Sequence, residues 1–305
     1  VLGQEVAFLA RVVLAGAYFT SATYYVQLLA AFILNAFSIQ DGAQTELIAN
    51  VITTILLVII GGVGMWRGLT ELEKVESFAV GLNLGMIGAL LLGLAVYNIQ
   101  LLTTGEWKLP DISSDINFND MRVLLGLLIV VQGFETSRYL GDQHPADQRI
   151  ATMRTAQIVS AVVYLLFIAL ATVLFHDGLG ADVTAIIKMT APVAIVLPML
   201  ISIAAIGSQF SAAVADTSGA GGLLEDITNR KLSIRYAYFL ILVIAIALTW
   251  ETNVNAIISY ASRAFALFYA LQCAVAFLVA LQKTDLPRRA LRLSFFGFLT
   301  VVCLL

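Results

Sequence analysis

Apolar residues fall in long runs near positions 6–38, 46–66, 77–102, 121–136, 155–175, 190–222, 236–250, 254–281 and 292–305, with short polar loops between them. Most runs hold about 18 to 30 residues, and a helix rising about 1.5 Å per residue then crosses a hydrocarbon layer about 30 Å thick. The pattern predicts a single transmembrane domain over residues 1–305 made of about nine helices, the last one partial. The chain starts at Val1 without Met and stops inside an apolar run. Both ends are therefore expected to be interior to a longer protein.

Charge sorts the loops into two alternating sets. One set carries Arg67 and Lys74, then Arg138, Arg149 and Arg154, then Arg230, Lys231 and Arg235, then Lys283, Arg288, Arg289 and Arg292. The other carries Asp41 and Glu46, then Glu106, Asp111, Asp115 and Asp120, then Asp177 and Asp182, then Glu251. One missed or invented helix would break this alternation. By the positive-inside rule the basic set is cytoplasmic, and a multi-pass protein of the cell (inner) membrane is expected.

Composition narrows the classes. The chain is 60% hydrophobic and 12% charged, with a mean hydropathy of +0.92, where soluble domains carry about 25% charged residues. Lipid is thus the expected solvent. Cys273 and Cys303 both lie in apolar runs and support neither a disulfide framework nor a cysteine metal site. The net charge is −3 and no basic patch with interleaved aromatics is present, which argues against a nucleic-acid partner.

Three runs are irregular, and irregular backbone at membrane depth is tolerated where it is buried in protein or lines a cavity. The fourth run is apolar from Met121 to Gln132 and is then interrupted by Gly133-Phe134-Glu135-Thr136-Ser137-Arg138. Twelve helical residues cover about 18 Å, which puts Gly133 near mid-membrane. The sixth run contains Pro198, then Ser208, Gln209, Ser211 and Asp216. The eighth contains Ser259, Tyr260, Ser262 and Arg263.

The stretch from Gly133-Phe134-Glu135 through His144-Pro145 and Arg149 resembles the sixth helix and following loop of the amino acid–polyamine–organocation superfamily. Leu224-Glu225-Asp226 and Lys231-Leu232-Ser233 are similar to the end of the eighth helix in leucine-transporter-fold proteins, and Tyr24-Tyr25-Val26 to the third-helix tyrosine region. The chain then corresponds to helices three through part of eleven. The resemblance implies an all-α polytopic membrane protein with a leucine-transporter-like inverted-repeat bundle, N-terminally truncated, whose site lies between the broken first helices of the two repeats. His144 stands where the family usually has Asn, and Ser218-Gly219 where amino-acid permeases usually have Ser-Arg. These departures leave the substrate open.

Candidate substrate-binding residues are Gln132, Gly133, Phe134, Glu135, Tyr25, Ser259 and Arg263. A break at Gly133 exposes backbone N–H and C=O groups suited to a carboxylate or an ammonium; a packing glycine is the alternative. Phe134 is a lid or core. Glu135 either finds a partner at depth or pairs with Arg138 at the interface. Arg263 lies about 13 Å deep and forms an outer gate with an acid on the absent first helix, holds a carboxylate bidentately, or forms a fixed structural pair. Tyr24 and Tyr25 point to different faces, so at most one lines the pathway.

Candidate ion-coupling residues are Ser208, Ser211 and Asp216. The two serines share a helix face and carry hard oxygens suited to Na⁺, or else bond back to their own helix. Asp216 is expected on about the same face as a proton carrier or gate. His144 and His176 have no second ligand at metal spacing.

The expected function is secondary active transport of an amino acid or related small organic amine, driven by Na⁺ or H⁺ and without another cofactor. A membrane channel and a membrane-embedded enzyme are the alternatives. No nucleophile–base constellation, pore signature or Walker motif is visible in the sequence. The expected partners are the substrate and the lipid bilayer, with a homodimer left open.

Cysteines placed one at a time beside Arg67, Arg149, Arg230 and Arg288 should be labelled from the cytoplasmic side by an impermeant reagent. Those beside Asp111, Asp177 and Glu251 should be labelled from the other side. Labelling of positions 111 and 149 from one side would refute the helix count.

Overall fold

The computed structural model describes residues 2–37, 39, 43–67, 70–111, 117–127, 132–140, 145–175, 184–283 and 287–305. Their regular structure is helical: α1 (Leu2–Ala36), α2 (Ala43–Arg67), α3 (Thr70–Thr104), α4 (Phe118–Gly126), α5 (Ala146–Ala171), α6 (Ala185–Thr190), α7 (Leu197–Ile227), α8 (Ile234–Glu251), α9 (Val254–Gln282) and α10 (Arg289–Val302). A 3₁₀ segment, Phe134–Leu140, follows α4. Among the described residues, seven helices, α1, α2, α3, α5, α7, α8 and α9, are long and apolar enough to cross a membrane. This is a polytopic helical membrane protein.

The nine apolar runs do not all become single long helices. The fourth gives α4, which ends at Gly126, and then the 3₁₀ segment beyond residue 133; part of the helix expected over 121–132, residues 128–131, lies outside the described residues. The sixth run starts late, because α7 begins at Leu197 after a turn that follows the short α6. Pro198 sits in the first turn of α7, where its missing N–H leaves no bond unmade. Start signals elsewhere are local. Asn117 and Asp120 form a reciprocal capping box on α4, and the Asn253 side chain accepts from the Ala256 N–H at 2.9 Å to start α9.

Helix α1 is the axis of the bundle and packs chiefly against α9 and α7. Its buried residues Ala10, Leu14, Ala17, Tyr18 and Ser21 recur at three and four positions, the spacing of one helix face. Both ends are pinned to the α7 side. Near its start, Arg11 Nη1 meets Asp226 Oδ2 of α7 at 2.9 Å; near its end, Asn35 Nδ2 donates to Thr184 Oγ1 at 3.3 Å. Helices α1 and α7 therefore run antiparallel. Helix α3 lies on α7, α2 on α8 and α10 on α9. The outward faces keep large apolar side chains exposed, such as Leu92 and Leu165 at 70%. That surface is stable only with lipid as its solvent.

Close helix contact depends on small residues. A Cβ on Gly221 would stand 2.6 Å from Cε1 of Tyr238, itself 3% exposed, while a Cβ on Gly62 would meet nothing within 4 Å. Gly221→Ala should therefore destabilise the detergent-solubilised protein by about 1–3 kcal/mol, through overpacking. Gly62→Ala should cost nothing measurable, and a thermal melt of the two variants beside the parent checks both.

Candidate functional site

The site begins where the fourth run loses its helix. The last carbonyl of α4, on Gly126, accepts a hydrogen bond from Ser262 Oγ of α9. The chain turns at Gly133, whose φ of +108° is open to glycine and strained for any residue with a Cβ. It then enters the 3₁₀ segment.

Both ends of that segment are closed by the protein itself. The Glu135 carboxylate accepts the Gly133 N–H, at 3.1 Å to Oε2 and 3.3 Å to Oε1. The Gly133 carbonyl accepts the Thr136 N–H at 3.1 Å and the Thr136 hydroxyl at 2.5 Å. At the far end, Arg149 Nη1 of α5 donates to the carbonyls of Ser137 at 3.0 Å and Arg138 at 2.9 Å. A carboxylate at the start and a guanidinium at the end suit the partial charges of a short helix. This corrects the expectation that the break leaves Gly133's backbone groups unpaired: they are taken. Glu135 likewise does not pair with Arg138; its second partner is the Tyr269 hydroxyl of α9, which donates at 3.2 Å.

Four elements converge around two buried carboxylates. Asp216 of α7 is 2% exposed and Glu135 is 9% exposed. Asp216 accepts from Ser21 Oγ of α1. Gln132 Nε2 donates to the Tyr25 hydroxyl of α1 at 2.5 Å, and the same amide reaches Asp216. Tyr25 is thus the tyrosine of its pair that meets the break. Phe134 stacks on Tyr269, with centroids 5.6 Å apart and planes 10° apart. Phe265 and Phe268 of α9 pack on the same ring. Gly219 of α7 brings the helices close, since a Cβ there would lie 3.3 Å from Thr136 Cγ2 and 3.5 Å from the Tyr18 ring.

Two cavities flank the 3₁₀ segment. One of about 570 Å³ lies against α5, with Gln132, Gly133 and Thr136 on one wall and Gln157, Ser160 and Tyr164 on the other. The second, of about 480 Å³, lies between the segment, the start of α5 and α9, and is lined by Glu135, Arg138, Arg149, Tyr269, Gln272 and Cys273 among others.

The remaining sequence candidates sit elsewhere. Ser259 and Arg263 are on the exposed side of α9, and Ser259 Oγ donates to Asn255 O of its own helix at 3.2 Å. They do not join Gln132, Glu135 and Tyr25. The residue of α9 that does is Tyr269, which bonds Glu135; Ser262, bonded to the end of α4, and Phe265 share its face at a spacing of three and four. Ser211 is buried and Ser208 half-buried on α7, but five residues separate Ser211 from Asp216, a rotation of about 140° at 3.6 residues per turn. Asp216 therefore faces α1 and does not continue the serine face, contrary to the expectation. His144 and His176 lie outside the described residues. Ser21 and Tyr269 were not singled out in the sequence; Ser21 lies four residues before Tyr25, on the same face of α1.

A family model for APC superfamily transporters matches residues 2–305. This chain belongs to the APC superfamily of transporters. A protein of Aquifex aeolicus (strain VF5), described as uncharacterized, is 39% identical over 292 residues, which is 95% of this chain and 68% of that protein. APC superfamily membership identifies a transporter rather than an enzyme.

The bond from Ser21 to Asp216 should be energetically coupled. Ser21→Ala, Asp216→Ala and the double variant, compared by thermal unfolding in detergent, should give a coupling of about 0.5–3 kcal/mol. Strict additivity would mean that the contact does not hold α1 to α7.

Proposed function

We propose that this chain carries the substrate pathway of a secondary active transporter for an amino acid or a related small amine. A Na⁺ or H⁺ gradient drives it, in a cell membrane with the basic loops cytoplasmic. The observation that carries the reading is the convergence of an interrupted helix, two buried carboxylates and a cavity of about 570 Å³ at one level of the bundle. A rigid channel wall has no need of a helix interrupted beside buried acids. A transporter does, because a short tethered segment moves as a unit while its solute is held.

The lining supports an ammonium-bearing solute. Gln132 Oε1 is buried with no donor among the described residues, and an acceptor left so gains most from an incoming N–H. Thr136, Ser137, Gln157 and Ser160 add hydroxyl and amide groups, and among the described residues no side chain lining this cavity carries a charge. For coupling, Ser208 and Ser211 supply hard oxygens suited to Na⁺, and Asp216 and Glu135 supply carboxylates suited to H⁺.

The test is uptake of radiolabelled neutral amino acids and small amines by the intact protein in proteoliposomes, with Na⁺ and pH gradients imposed separately. One gradient should accelerate uptake of at least one solute. Equal uptake with and without each gradient would overturn active transport. In the same assay Gly133→Leu should abolish uptake, because leucine at a φ of +108° is strained. Gly85→Leu, at a position where a Cβ meets nothing within 4 Å, should leave it near normal. Should Na⁺ be the driver, Ser208→Ala with Ser211→Ala should raise the Na⁺ concentration needed for half-activation, and unchanged activation would leave both hydroxyls as packing groups.

A further inference from the structure

We propose that the cavity of about 480 Å³ on the α9 side of the 3₁₀ segment is a second binding site for the transported solute, in which Arg138 takes the carboxylate of a zwitterion. The inference rests on the transport reading above and adds a second stop to the pathway.

The two cavities share one wall, Phe134, Ser137 and Met153, and are otherwise separately lined. That wall is thin and has movable parts. Ser137 Oγ donates to the Phe134 carbonyl at 3.0 Å and lies 3.9 Å from Met153 Sδ, while the Phe134 ring is held by stacking on Tyr269. Methionine adapts its shape at little cost. A rotation of Phe134 and Met153 joins the compartments without breaking the caps on the segment.

Their chemistry differs. The α5-side cavity has hydrogen-bonding groups without charge, whereas the second has charges of both signs: Glu135 in its wall, Arg138 and Arg149 nearer the loop. Arg149 spends Nη1 on the carbonyls of Ser137 and Arg138. The Arg138 side chain is exposed to the cavity, and a guanidinium there binds a carboxylate in a fork of two hydrogen bonds. The first turn of α5 opens on the same space through Ala146, and its N-cap, Pro145, gives no side-chain cap; its N–H groups add to the attraction for an anion. Phe268 and Tyr269 offer an apolar wall for the rest of the solute. The volume lies within the roughly 300–1,000 Å³ of small-ligand sites. A zwitterion fits this charge pattern better than an amine without a carboxylate.

Cys273 lines the cavity and is half-buried, which makes it a reporter. In intact protein carrying Cys303→Ser, reconstituted in proteoliposomes, the rate of Cys273 modification by a small maleimide is followed while neutral L-amino acids, and the matching amines lacking the carboxylate, are added. A transported amino acid should slow modification in a saturable way, and its amine counterpart should need about tenfold more for the same protection, the loss of one charge-assisted contact. Arg138→Gln should erase that difference while leaving protein yield unchanged, and Arg138→Lys should restore part of it. Gln272→Phe, which narrows the same cavity without touching charge, should weaken protection by amino acid and amine alike. Absence of protection by an amino acid that the same liposomes take up would overturn the inner site and leave the transport reading standing. Protection that persists at the same concentration in Arg138→Gln would also overturn it, since conformation rather than occupancy would then shield Cys273. Failure of the liposomes to take up any amino acid or amine would instead strike the transport reading itself.

Discussion

A carboxylate inside a membrane finds no water to replace its hydration, so each of its hydrogen bonds has to come from the protein. Asp216 and Glu135 impose that demand at one level of the bundle, and the helices meet as they do to satisfy it. On insertion scales an acid at mid-membrane costs about 2.5–3.5 kcal/mol. Ser21 answers Asp216 from α1, and Tyr269 answers Glu135 from α9. Gln132 links the break to both α1 and α7. No lysine or arginine side chain takes part in these bonds, so the centre is held by hydroxyls and an amide, groups that exchange partners at lower cost than an ion pair.

The same economy governs the 3₁₀ segment. A helix that stops inside a membrane leaves orphan donors at one end and orphan acceptors at the other. Here Glu135 folds back on its own N-terminus, and Arg149 reaches across from α5 to the C-terminal carbonyls. The segment is therefore a self-contained unit tethered to α5 by a guanidinium and to α9 by a phenol and a ring stack. At Gly219 of α7 the segment packs so closely that a Cβ would stand 3.3 Å from Thr136 Cγ2.

Much of this was legible in the sequence because lipid imposes a simple grammar. Seven of the nine apolar runs became helices long enough to cross a membrane among the described residues, and the switch from apolar to polar at Gly133 fell at the turn into the 3₁₀ segment. The intramembrane acids were legible for the same reason: a costly residue retained at depth has partners. Helix rotation was not legible. In water a polar face tells which side of a helix points out, but α1 and α9 are apolar nearly all round, since lipid and core accept the same residues. Thus Ser259 and Arg263 were grouped with the site although they stand on the exposed side of α9, while Ser262 and Tyr269, on its inner face, do the bonding. The offset of Asp216 from Ser211 has the same origin. That Gly133's backbone is occupied was beyond the sequence for another reason: a side chain two residues on has to fold back, and spacing alone does not say that it does.

The central claim is that the solute is held against the interrupted helix, between the 3₁₀ segment and α5. The most direct measurement is the structure of the intact protein, determined by electron cryomicroscopy with a solute that the same preparation is shown to transport. Density for that solute touching Gln132, within hydrogen-bonding distance of Oε1, and lying beside Gly133 is the result this account predicts. Solute density on the far side of α1, with Gln132 still bonded only to Tyr25 and Asp216, would contradict it.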